Sequence, residues 1–166
     1  MEAHIISQED LVSSIFEHQT NPPQRILLME PDEDIRCLNA EVLMDSGYDV
    51  EAVKDGVIAW DDLQINTYDL LIINTSLPEK SGSVLLKKLS AARMSLPIIL
   101  VSETTPTEES KPPLGLRIMA RLHKPCTLAK LLETVGTVLR AQHGAGAEIA
   151  PQPFWQTRSS VDRFRL

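Results

Sequence analysis

A chain of 166 residues, 43% hydrophobic and 23% charged, is long enough for one domain of typical size with tails. Its net charge of −7 argues against a nucleic-acid-binding body, which is usually basic on one face. No apolar run approaches the roughly 20 residues of a membrane span, no signal pattern opens the chain, and two cysteines are too few for a disulfide framework, so a cytoplasmic setting is predicted.

Residues 1–24 read as an N-terminal extension. Ser7 is placed to cap a short helix carrying Leu11, Val12, Ile15 and Phe16, ended by Asn21-Pro22-Pro23. So short a helix is unstable alone and has to dock on its own domain, on a second copy or on a partner. Residues 25–141 form the body. Ile26 to Met29 reads as a first strand; Ile35, Leu38, Val42 and Leu43 form the apolar stripe of a helix stopped at Gly47, a left-handed cap. Tyr48 to Val53 alternates as a half-buried strand, Asp55-Gly56 turns the chain, and Val57 to Leu63 makes a short helix. The apolar run behind Tyr68 and Asp69 reads as a strand buried on both faces, ending at Asn74.

Val84, Leu85, Lys88 and Leu89 mark a third helix, Pro97 to Val101 a fourth strand and Arg117 to His123 a fifth. A further helix is expected between Glu103 and Leu116, but Pro106, Pro112 and Pro113 leave it a turn or two at most. Thr127 is placed to cap a last helix with Leu128, Leu131, Leu132, Val135 and Val138. Residues 142–166 are predicted to be a flexible C-terminal tail: a Gly/Ala/Pro linker, then Phe154-Trp155 and an arginine-rich end at Arg158, Arg163 and Arg165. The tail is too short for a DNA-binding domain and reads either as disordered or as a docking peptide. Strands interleaved with helices predict an α/β fold whose parallel sheet is covered on both faces.

The segment Asn74-Thr75-Ser76-Leu77-Pro78 with Gly82, followed later by Lys124-Pro125, resembles bacterial two-component response-regulator receiver domains, the CheY-like superfamily. The resemblance covers residues 25–141. It implies a flavodoxin-like doubly wound five-stranded sheet of order 2-1-3-4-5, here with a degraded fourth helix, and ligand chemistry at the carboxyl ends of the strands. In that family an Asp at the position of Asn74 accepts the phosphoryl group. It holds Mg²⁺ together with an acidic pair after the first strand, and a Lys neutralises the charge that develops.

Matched to that pattern, Glu30 is the first acid and Pro31 stands at the second. Pro31 has no ligand atom, and its fixed φ suits the first turn of the following helix. A register using Asp32 and Glu33 as the acids is the alternative. Asn74 is neutral, forms no acyl phosphate and is a poorer ligand for a hard cation than a carboxylate. It reads as a structural amide bridging Glu30 and Lys124. Ser102 matches the family's Ser/Thr after the fourth strand, or else only satisfies backbone groups there. Lys124 matches the family's Lys before a cis-proline; without an acceptor it neutralises Glu30 or meets the Asn74 amide oxygen. Arg121 stands where the family has a switching aromatic, and is either a solvated charge or part of an interaction face. No catalytic residue and no metal site is predicted, and Mg²⁺ binding is expected to be lost.

The expected protein is a pseudo-receiver, not an enzyme, that acts by phosphorylation-independent contact with a protein of a bacterial signalling pathway or as a homodimer, without nucleic acid or membrane. Two alternatives stand. One is a conventional response regulator accepting phosphate through non-standard ligands; the other is a scaffold presenting its terminal peptides.

Overall fold

In a computed structural model, residues 22–75, 81–103 and 112–144 are described. The predicted N-terminal helix, the middle of the 103–116 segment and the tail from residue 145 lie outside them.

Among the described residues nine elements follow in chain order: β1 (Arg25–Met29), α1 (Glu33–Asp45), β2 (Asp49–Val53), α2 (Gly56–Ile65), β3 (Leu70–Asn74), α3 (Ser81–Ala91), β4 (Pro97–Ser102), β5 (Arg117–His123) and α4 (Leu128–Gly144). All strand pairs are parallel, in the order β2-β1-β3-β4-β5. The central strands β1 and β3 are apolar throughout because helices cover both their faces, whereas edge strand β5 alternates exposed and covered residues. Residue parity sorts the core into two layers. Leu27, Met29, Leu71 and Ile73 face α2 and α3; Ile26, Leu28, Leu70 and Ile72 face α1 and α4. The strand order reverses between β1 and β3, so the crevice of this fold opens at their carboxyl ends.

Local chemistry sets the helix ends. Asp55 caps α2 by accepting from the backbone N–H groups of Val57 (2.9 Å) and Ile58 (3.0 Å), and Thr127 Oγ1 accepts from Lys130 N (3.1 Å). Gly47 takes the left-handed conformation expected of it, φ 95°.

Three expectations change. Asp32, not Pro31, begins α1: its carboxylate accepts from Ile35 N at 3.0 Å, so Pro31 stands before the cap and outside the first turn. The buried residues of α1 are Ala40 and Leu43, while Ile35 and Leu38 remain 40% and 48% exposed, so the upper half of the apolar stripe is not core. Helix α4 runs on to Gly144, past the boundary drawn at residue 141.

Gly56 is required by a close approach. A Cβ there would lie 2.5 Å from the Ser81 backbone oxygen and 3.2 Å from Leu85 Cβ. Backbone cannot swing aside as a side chain can, so α2 and α3 would have to separate. Gly56→Ala is expected to lower stability by about 1–3 kcal/mol in chemical denaturation.

Tyr68 carries the opposite lesson. Its ring lies under the Arg25 guanidinium, 5.0 Å from its carbon, yet its buried hydroxyl has no hydrogen-bond partner among the described residues. Burial, with smaller contributions from Asp62 and Glu51, pushes its pKa up to about 12. The folded chain therefore keeps a proton that the unfolded chain loses above the ordinary value of 10.0, and stability falls as pH rises from there to about 12. Tyr68→Phe removes an unsatisfied group. The variant is expected to match or exceed wild-type stability at neutral pH by up to about 1 kcal/mol and to lose this alkaline decline.

Candidate functional site

The two side chains that stand at the switch point are the buried polar residues of the described core, Glu30 (3% exposed) and Asn74 (4%). Glu30 follows β1, fixed by its N–H donating to Val53 O (3.0 Å), and Asn74 ends β3. Parallel neighbours in register bring them together: Asn74 Nδ2 donates to Glu30 Oε2 at 2.5 Å. The other carboxylate oxygen, Oε1, accepts from Asp32 N at 3.0 Å. A carboxylate this deep is tolerated because donors meet it. The Glu30 arm of the predicted Asn74 bridge is therefore present.

Arg36 holds the loop from the helix side, its Nη1 donating to the carbonyls of Glu30 (2.9 Å) and Pro31 (3.2 Å). That role is not legible in the sequence, where a single arginine on a helix looks like any solvated charge. On the other flank Gly82 lets α3 close over the strand ends; a Cβ there would lie 3.0 Å from Asn74 O.

The Lys124–Pro125 bond is cis, as the resemblance implied. Lys124 N donates to Ser102 O at 2.9 Å, joining the ends of β4 and β5, and Lys124 Nζ lies 3.9 Å from Glu103 Oε1. Lys124, Glu30 and Asn74 line one pocket. Ser102, half-buried at the end of β4, pairs in register with His123. Arg121 is elsewhere: it lies on the exposed row of β5 with Arg117, Met119 and His123. Met119 has no register partner on β4, a bulge that interrupts this edge.

These positions offer one carboxylate whose oxygens accept from Asn74 and Asp32, a proline whose side chain has no donor atom, and an amide turned with its N–H toward the carboxylate. Asp32, with Glu33 one of the alternative acids, uses Oδ1 in its cap. Among the described residues no group of three or more His, Cys, Asp or Glu is arranged to hold a metal ion. Cys126 lines the same pocket, and burial pushes its thiol pKa up against the weaker pull of Lys130, away from nucleophilic use.

What the sequence missed is the shape of the crevice. It opens into a cavity of about 280 Å³ between α1 and the start of α4, walled by Ile35, Leu38, Leu128 and Leu131. The two residues that failed to join the core are its outer lip.

An open parallel sheet with polar side chains of neighbouring strands meeting at its switch point defines a doubly wound α/β domain with its site at the strand ends. Residues 26–136 match the model of the response regulator receiver domain, and the chain belongs to that family. It is 34% identical over 140 residues to response regulator RppA of Synechocystis sp., covering 83% of this chain and 58% of that protein. It is 30% identical over 120 residues to the transcriptional regulatory protein RprY of Bacteroides fragilis, covering 72% and 51%. The chain thus spans about half the length of these curated relatives. Among solved structures, a CheY-like receiver domain protein from Methanospirillum hungatei superposes with a TM-score of 0.67 at 26% identity, covering 75% of this chain and 99% of that one. The domain is a response-regulator receiver of two-component signalling. No helix of the described residues is long and apolar enough to cross a membrane.

Proposed function

We propose that this receiver domain is a pseudo-receiver: a protein-interaction module of bacterial two-component signalling that works without phosphorylation, without Mg²⁺ and without enzymatic activity. The observation that carries the reading is the hydrogen bond from Asn74 Nδ2 to Glu30 Oε2, with Pro31 beside it. An amide donor occupies the carboxylate that a cation would need, and the acceptor position holds no nucleophilic oxygen. Asn74, Ser102 and Lys124 then serve to close the strand ends.

The contact surface in this reading is β5 with the residues that lead into it. Arg117, Met119 and Arg121 are exposed there, and Leu114 is 95% exposed. Its partner is a signalling protein or a second copy of the chain, in the cytoplasm and without nucleic acid.

Incubation with a small phosphodonor and Mg²⁺, followed by intact mass, tests the reading. No adduct is expected; a stoichiometric phosphoryl adduct would establish the conventional regulator instead. Arg121→Glu is expected to weaken partner capture or self-association at least tenfold while leaving the thermal midpoint unchanged.

A further inference from the structure

We propose that the cavity between α1 and α4 is the seat of the indole of Trp155, carried back over the domain by the segment that follows α4. This does not rest on the proposed function.

The cavity is apolar at its walls and open at one lip. Ile35 and Leu38 form that lip, 40% and 48% exposed on a helix that buries Ala40 and Leu43 further along. Its size suits a bicyclic ring. A cavity of about 150 Å³ takes benzene, so by ring atoms an indole needs roughly 225 Å³; about 280 Å³ is present. The polar part of the lining also suits an indole, which needs an acceptor for its N–H. Glu30 lies there, and a carboxylate offers about four acceptor sites, of which Asn74 and Asp32 use two.

The segment reaches. Helix α4 starts at the cavity with Leu128 and ends at Gly144, about 25 Å away at 1.5 Å per residue. The nine residues 145–153 span up to about 30 Å when extended. Pro151 and Pro153 limit the freedom lost on docking. Neighbouring side chains of an extended chain point to opposite sides, so Trp155 enters and Phe154 faces out.

Charge selects this segment over the N-terminal one. Helix α1 and its cap carry Asp32, Glu33, Asp34, Glu41 and Asp45 against Arg36. The sequence beyond Trp155 supplies Arg158, Arg163 and Arg165 against Asp162. Residues 1–21 also hold apolar side chains, but with Glu2, Glu9, Asp10 and Glu17 and no Lys or Arg they would meet α1 with like charge.

The chain has two tryptophans, so Trp60→Phe leaves Trp155 as the single reporter. In the full chain its emission is expected to be blue-shifted, with acrylamide quenching several-fold weaker than for free tryptophan. Leu38→Asp, at the exposed lip, is expected to restore the red emission and full quenching without changing the far-ultraviolet circular dichroism. Since Trp60 packs on the core, fluorotryptophan labelling of the otherwise unaltered chain gives the same readout if Trp60→Phe misfolds, the Trp155 resonance being assigned with Trp155→Phe. A Trp155 as accessible as free tryptophan, or one indifferent to Leu38→Asp, would overturn the proposal. So would protection that rises with protein concentration, which marks a second copy's segment as the occupant.

Discussion

Asn74→Asp is expected to destabilise the domain by about 3 kcal/mol at pH 7, although it restores the residue the family carries there. In the native chain the contact at 2.5 Å is an amide donating to a carboxylate. The variant puts a second carboxylate against Glu30 in a place where both side chains are almost fully buried. Like charges so close in a site of low polarity cannot both stay ionised cheaply, and a buried charge without compensation costs roughly 3–5 kcal/mol. Lys124 lines the same pocket and offsets part of this. The sign of the pH dependence follows. The folded variant holds a proton between two oxygens that the unfolded chain releases, so its stability is present at acid pH and is lost as pH rises through the raised value of the pair. Urea unfolding at pH 5 and pH 7 measures both effects. Equal stability of variant and wild type at pH 7 would mean that the Asn74–Glu30 contact holds nothing together.

The larger change is expected when the second position is restored as well. Pro31→Asp with Asn74→Asp rebuilds three carboxylates around the strand ends, and the repulsion that destabilises the single variant becomes affinity for a divalent cation. Mg²⁺ at a hundred times its dissociation constant should then raise stability by about 2.7 kcal/mol, with little effect on wild type. A small phosphodonor should take the double variant from no adduct to a near-stoichiometric phosphoryl adduct. The reaction needs both a nucleophilic oxygen and the cation that neutralises developing charge, so neither single variant is expected to be modified to a comparable extent. Thermal shift against Mg²⁺ and intact mass read the two gains separately. If the double variant binds Mg²⁺ but stays unmodified, the geometry of Lys124 or Ser102 has also departed from a working receiver.

Both predictions depend on a contact that the sequence placed only in outline. The strands were legible because their positions write themselves into composition. Central strands covered on both faces have to be apolar throughout, as Leu70 to Ile73 is, and edge strands alternate, as Arg117 to His123 does. Turn and cap residues were equally readable, since Gly47, Asp55 and Thr127 act on backbone within three residues of themselves. The identities of Glu30, Pro31 and Asn74 alone carry the proposal that an acceptor and a second acid are lacking.

The tertiary structure decided what depends on distant neighbours. The stripe of Ile35, Leu38, Val42 and Leu43 announces a helix, but periodicity does not say how far along its length another element covers it. Packing of α1 on the sheet and against α4 buries Leu43 and leaves Ile35 and Leu38 at the lip of a cavity. The fixed φ of Pro31 predicts the first turn of α1, but the capping side chain of Asp32 sets the start past it. Arg36 became the clamp on the Glu30 loop through its reach to two carbonyls. The sequence by itself determined the layers and the residue types at the strand ends, because these follow from local pattern and residue chemistry. The hydrogen bond that now fills the site, and the cavity beside it, come from the register of β1 against β3 and the packing of α1 on α4, which bring together residues far apart in the chain.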